Sequence, residues 1–153
     1  IHQCGHSTVT NDYLNLMRSR EQLPAALKSG YLLKDYFGAE EIGAVFAKAS
    51  LVISRSGANI ITELMALGKP AILIPLPNTP GQEQEKNAQM LESAGLAIII
   101  NQTALTPETL IGACARLVND LSQYQTAAKK TRELFHPDAA DTVAEEIIKL
   151  LES

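Results

Sequence analysis

Leu51-Val-Ile-Ser-Arg-Ser-Gly-Ala-Asn-Ile-Ile-Thr-Glu-Leu-Met-Ala-Leu-Gly-Lys-Pro-Ala-Ile-Leu-Ile-Pro75 reads as strand, polar turn, helix, short turn and strand. Leu51–Ile53 and Ala71–Ile74 are continuous apolar runs, the pattern of parallel strands covered on both faces. Between them, Ala58–Leu67 carries helical spacing and stops at Gly68, with Lys69-Pro70 directly behind. Strand–helix–strand with tight connections is the βαβ unit. The turn delivers Ser54, Arg55, Ser56 and Gly57 to a helix start. Free N–H groups and the positive end of the helix dipole gather there, so the turn is suited to an anion. Glu63, four residues after Asn59, shares a helical face with it and can accept hydrogen bonds from a sugar diol.

The same alternation extends in both directions. Upstream, Ile1-His-Gln-Cys4 is a short strand. A helix is expected over Asn11–Arg20, capped by Ser7, Thr8 or Thr10, and a last helical turn precedes Gly30. Tyr31–Phe37 is the next strand, and Glu40–Ala49 a short helix with Ile42, Val45 and Phe46 on one side. Downstream, Pro75–Gly81 is a proline-rich loop, Gln82–Ala94 a helix closed by Gly95, and Leu96–Ile100 a strand. Thr106-Pro-Glu opens a helix with an N-cap and a proline at its first position. Two more helices, Gln123–Leu134 and Asp138–Leu151, follow, the last with Val143, Ile147, Ile148 and Leu151 on one stripe, read as a packing helix. The class expected is α/β, a Rossmann-like doubly wound parallel sheet in a single domain spanning 1–153. Ligands bind such sheets at the carboxyl ends of the strands. There the sequence places His6-Ser7-Thr8, Phe37-Gly38-Ala39, Ser54–Asn59 and Pro77–Gln84.

Composition narrows the function. The chain has 153 residues, a net charge of −4, 46% hydrophobic and 20% charged residues, and no Trp. No Lys/Arg run or aromatic platform points to nucleic acid. No apolar stretch reaches the roughly 20 residues that cross a bilayer. The two cysteines, Cys4 and Cys114, match no metal spacing and read as reduced thiols. His2, His6 and His136 are scattered, so no metal site is expected.

Several residues keep two readings when taken alone. Ser56 is also a simple helix cap and Arg55 a solvated charge. Glu63 is also what a helix start favours on any surface. Gln82-Glu-Gln-Glu-Lys-Asn87 suits sugar hydroxyls, since amides both donate and accept, but is also an ordinary polar helix start.

The segment Leu51–Pro75, together with Glu83-Gln84…Asn87-Ala88 and Glu92-Ser-Ala-Gly95, resembles the C-terminal domain of MurG-type GT-B glycosyltransferases, the N-acetylglucosaminyltransferases of peptidoglycan synthesis. The likeness runs over nearly the whole chain and is most specific at its centre. It implies a domain that binds the donor UDP-GlcNAc. By the resemblance, Glu63 holds the ribose. Ser56, Gly57, Ala58, Asn59 and Ile60 form the diphosphate-facing turn and helix start, and Arg55 of the same turn stands as a further substrate-binding candidate. Gln84 with Glu83 reads the GlcNAc hydroxyls, and the main chain of Phe37, Gly38 and Ala39 edges the uracil. Position 83 is Glu where the family carries an amide, His or Asp. The family's Gly-Gly-Ser-x-Gly loop, its first strand and its N-terminal domain would precede Ile1. The chain is therefore expected to be part of a larger two-domain enzyme, inactive in transfer by itself. The acceptor lipid I and the catalytic base would belong to that N-terminal domain, leaving no catalytic residue here. The resemblance also implies no metal or other cofactor, and peripheral attachment of the whole enzyme to the cytoplasmic face of the bacterial inner membrane. Two other readings stay open: another GT-B transferase, such as a diacylglycerol glycosyltransferase, or a nucleotide-sugar-binding subunit that works with a separate partner chain.

Overall fold

The computed structural model describes residues 1–5, 10–133 and 138–152. Its contacts divide into two compact units, Ile1–Ala47 and Lys48–Ser153.

The C-terminal unit holds a three-stranded parallel sheet, β3 (Val52–Ser54), β4 (Ala71–Leu73) and β5 (Ala97–Ile99), in that order. Register pairs Ile53 with Ile72 and Ile72 with Ile98. The crossover helices are α4 (Ala58–Leu67) and α5 (Glu83–Ser93). Each βαβ unit adds the next strand on the same side, so right-handed crossovers place both helices on one face. The burial pattern agrees. Ile61 and Leu64 of α4 pack with Ala88 and Leu91 of α5 over Ala71, Leu73 and Ala97. On the other face, Ile72, Ile74 and Ile100 pack with Leu117 of α6 (Pro107–Asn119). The period of two along β4 explains why its alternate residues serve two cores. α7 (Leu121–Glu133) reaches both clusters, through Tyr124 and Ala128.

Local chemistry sets the element ends. Gly68 is left-handed (φ 59°), and Lys69 N–H bonds to Leu64 O at 3.0 Å in a Schellman closure. A Cβ at Gly68 would lie 3.0 Å from Ala128 Cβ and 2.7 Å from Arg132 Nε. Gly68→Ala is therefore expected to cost about 1–2 kcal/mol from the backbone conformation alone, measured as a fall in urea-unfolding free energy. Thr106 and Thr109 close a reciprocal capping box at the start of α6, ahead of Pro107.

In the N-terminal unit, β1 (His2–Gln3) pairs in parallel with β2 (Leu33–Lys34). They are accompanied by the helices α1 (Asp12–Glu21), α2 (Ala25–Gly30) and α3 (Ala39–Lys48). Arg20 secures the end of α2, donating from Nε to Tyr31 O (2.9 Å) and from Nη2 to Lys28 O (3.1 Å).

Four expectations change. The strand expected over Tyr31–Phe37 shortens to Leu33–Lys34, because β1 offers only two paired residues. Tyr36 N–H then turns to the Asp35 carboxylate. The N-cap of α1 is Asn11 in a left-handed conformation without a side-chain cap, so Thr10 is not the cap; Ser7 and Thr8, like His6, lie outside the described residues. Ile53 is 45% exposed on the edge strand of this sheet, where a fully buried strand was expected. The stripe on α8 (Ala139–Glu152) is present but solvent-exposed, at 53% or more for Val143, Ile147, Ile148 and Leu151.

Candidate donor-binding site

The carboxyl ends of β3 and β4 bring the α4 and α5 helix starts side by side. Gly57 is the N-cap of α4 and brings no side chain to its first turn. Ile61 N–H bonds back to Gly57 O, which leaves the N–H groups of Ala58, Asn59 and Ile60 without intrahelical partners. Gly57 has φ −65° and ψ 159°, so it does not supply the positive φ that a turn glycine often does. Its value is spatial: a Cβ there meets nothing within 4 Å among the described residues. An uncapped helix start with open space in front of it has the N–H geometry that suits an anion.

Ser56 behaves otherwise. It is fully buried, and its hydroxyl donates to Gln84 O at 2.8 Å. Asn87 Nδ2 donates to Ser56 O at 3.1 Å. The residue thus joins the phosphate-type turn to the first turn of α5. Arg55 also turns toward the protein: Nη1 donates to Ile74 O at 3.0 Å and to Gln102 Oε1. It ties the end of β3 to the end of β4 and to the 3₁₀ turn Gln102–Ala104 that follows β5.

Gln84 is half-buried, and its Oε1 accepts Leu76 N–H at 2.9 Å. That main-chain donor fixes the orientation of the amide and leaves Nε2 as the end directed elsewhere. Thr79 Oγ1 accepts Gln84 N–H at 3.4 Å. The loop before α5 is shaped by left-handed residues at Asn78, Gly81 and Gln82. Glu83 opens α5 and is exposed. Glu63 is exposed on α4, and its carboxylate makes no hydrogen bond or ion pair among the described residues. The structure therefore collects Arg55, Ser56, Gly57, Ala58, Asn59, Ile60, Glu63, Glu83 and Gln84 on two adjoining helix starts. Gln102 was not among the expected site residues, and Asn87 was expected only as part of the polar start of α5. Asn87 was recoverable from its spacing of three from Gln84 on one helix face. Gln102 had no local signal, being 47 residues from Arg55.

In the N-terminal unit, two N–H groups of the expected uracil-edging loop are already engaged. Phe37 N–H donates to Gln3 Oε1 (3.0 Å) and Gly38 N–H to Glu41 Oε2 (3.0 Å). Hydrogen bonds from Lys34 and from Gly38 hold the Glu41 carboxyl below the usual carboxylate range. Ala39 begins α3.

The family profile of the glycosyltransferase family 28 C-terminal domain matches residues 1–143. The chain belongs to this family. A UDP-N-acetylglucosamine–N-acetylmuramyl-(pentapeptide) pyrophosphoryl-undecaprenol N-acetylglucosamine transferase of Oenococcus oeni is 39% identical over 107 residues, covering 70% of this chain and 29% of the relative. The enzyme of the same name from Idiomarina loihiensis is 33% identical over 156 residues, covering all of this chain and 40% of the relative. Among solved structures, Acinetobacter baumannii MurG superposes with a TM-score of 0.78 at 28% identity, over 97% of this chain and 40% of that one. The spinosyn forosaminyltransferase SpnP (TM-score 0.69, 15% identity, covering 86% of this chain and 32% of that one) shares the fold. This family 28 domain thus spans less than half the length of the relatives it matches. Its α/β architecture with parallel sheets is the Rossmann-like C-terminal domain of the GT-B fold.

Among the described residues no helix is long and apolar enough to cross a membrane. No group of three or more His, Cys, Asp or Glu among them is arranged to hold a metal ion.

Proposed function

We propose that this family 28 domain binds UDP-GlcNAc as the donor half of an inverting hexosyltransferase. The full-length enzyme would transfer GlcNAc to the 4-hydroxyl of the muramoyl sugar of lipid I, giving lipid II. The observation that carries this reading is the uncapped start of α4, open at Gly57, with the exposed Glu63 carboxylate a little over one turn further along. The N–H groups of Ala58, Asn59 and Ile60 take the diphosphate and stabilise the charge on the departing UDP, the part a metal ion would otherwise play. Glu63 accepts from the ribose hydroxyls, and Gln84, with Glu83 beside it, meets the sugar. The names of the relatives support the substrate class. Lipid I and the catalytic base belong to the rest of the full-length protein in this reading, and the enzyme works peripherally at the cytoplasmic face of the bacterial inner membrane.

Titration of UDP by calorimetry tests it. Glu63→Ala is expected to weaken UDP binding by roughly 1–3 kcal/mol, the scale of a lost hydrogen bond to a charged group, which is roughly 5- to 150-fold in Kd. Unchanged UDP affinity in the variant removes the ribose assignment.

A further inference from the structure

We propose that Ser56 is a positioning residue for Gln84: its buried hydroxyl sets the sugar-reading end of the site, and with it the preference for the sugar over the bare nucleotide. The proposal rests on the donor reading above and extends it to a side chain that touches no ligand.

Ser56 is fully buried, and a hydroxyl in that position must have a partner. Its partner is the main-chain oxygen of Gln84, 28 residues away, at 2.8 Å. The Ser56 carbonyl in turn accepts from Asn87 Nδ2 at 3.1 Å. Two hydrogen bonds, one in each direction, therefore pin the first turn of α5 to the turn that precedes α4. The Gln84 side chain is constrained from the other side, since Oε1 is held by Leu76 N–H at 2.9 Å. With Oε1 turned to Leu76 N–H, the amide orientation is fixed and Gln84 presents its Nε2 hydrogens to a sugar oxygen as donors. Where those hydrogens point depends on where the main chain at Gln84 lies, and Ser56 sets that. The diphosphate contacts are main-chain N–H groups of α4, which the Ser56 hydroxyl does not supply. Loss of the hydroxyl should therefore fall more heavily on the sugar than on the nucleotide.

The test compares calorimetric affinities for UDP and UDP-GlcNAc in the full-length protein, with folding of each variant checked by thermal melting. Ser56→Ala is expected to lower the ratio of UDP-GlcNAc to UDP affinity by about tenfold, the scale of one lost hydrogen bond. Gln84→Ala should lower it similarly, and the double variant no further, because both changes remove the same contact. Ser56→Cys keeps a weak donor of similar size and should retain part of the ratio; it decides the matter if Ser56→Ala does not fold. Equal losses for both ligands in Ser56→Ala, additive losses in the double variant, or equal losses for both ligands in Ser56→Cys would overturn the positioning role. If Gln84→Ala leaves the ratio unchanged while UDP still binds, the sugar assignment of Gln84 falls and this proposal with it. Absence of UDP binding by the wild type overturns the donor reading itself.

Discussion

Gly57→Ala should leave the fold intact and weaken UDP binding by about tenfold or more, the scale of 1–3 kcal/mol for forcing a methyl group into a filled space. The two halves of this expectation have separate causes. At φ −65° and ψ 159° the backbone suits any residue, and a Cβ meets no described atom within 4 Å. Alanine is a poorer N-cap than glycine. It also restricts the unfolded chain, which recovers about 0.4–1 kcal/mol. Stability should therefore change by less than about 1 kcal/mol. A diphosphate on the N–H groups of Ala58 to Ile60 would occupy the space that the methyl group enters. Urea unfolding together with UDP calorimetry separates the effects. A variant that keeps wild-type UDP affinity would show that the ligand does not approach this helix start.

Leu64→Ala should cost about 3–5 kcal/mol, a large share of the roughly 5–15 kcal/mol that holds a domain of this size together. Leu64 is fully buried on α4, among Ile61, Leu73, Leu91 and four alanines: Ala71, Ala88, Ala97 and Ala128. Those alanines already bring neighbouring backbones close, and strand pairing holds β4 and β5 in place. The walls therefore have little freedom to collapse into the cavity, which puts the expected cost high in the range. The measurement is the urea midpoint, set against Ile111→Ala on α6. Ile111 is 67% exposed, and its truncation should change stability by less than about 0.5 kcal/mol. A Leu64 loss below about 1 kcal/mol would contradict the central position of this side chain. Because Leu64 follows Glu63 directly, the variant also tests whether the docking of α4 supports UDP affinity.

Elements written in short-range chemistry are legible in the amino-acid sequence. Ala71–Leu73 stands out as a continuous apolar run, α4 by its spacing and its Gly68 stop, and α6 by Thr106-Pro107. Each depends on residues within one or two turns of one another. The edge strand is less legible, because an apolar triplet reads the same whether its face is covered or, as at Ile53, left open. The exposed stripe on α8 misleads for the same reason: periodicity shows that a face is apolar without showing what covers it.

Within the site the division is sharper. The sequence by itself determined that a polar turn with a glycine precedes α4, that Glu63 lies just over one turn behind it, and that an amide-rich helix start follows the next strand. Those features depend on residue type and local spacing. Only the tertiary structure decided what each side chain does. Arg55 and Ser56 sit side by side in the turn, and both look available to a phosphate. The structure instead spends Arg55 on Ile74 O and Gln102, and Ser56 on Gln84 O. Those partners lie 19 to 47 residues away, on strand ends and helix starts that meet only when the parallel sheet forms. A hydrogen bond across such a separation leaves no periodic mark in the chain, so folding alone distinguishes the residues that build the site from those left open to the ligand.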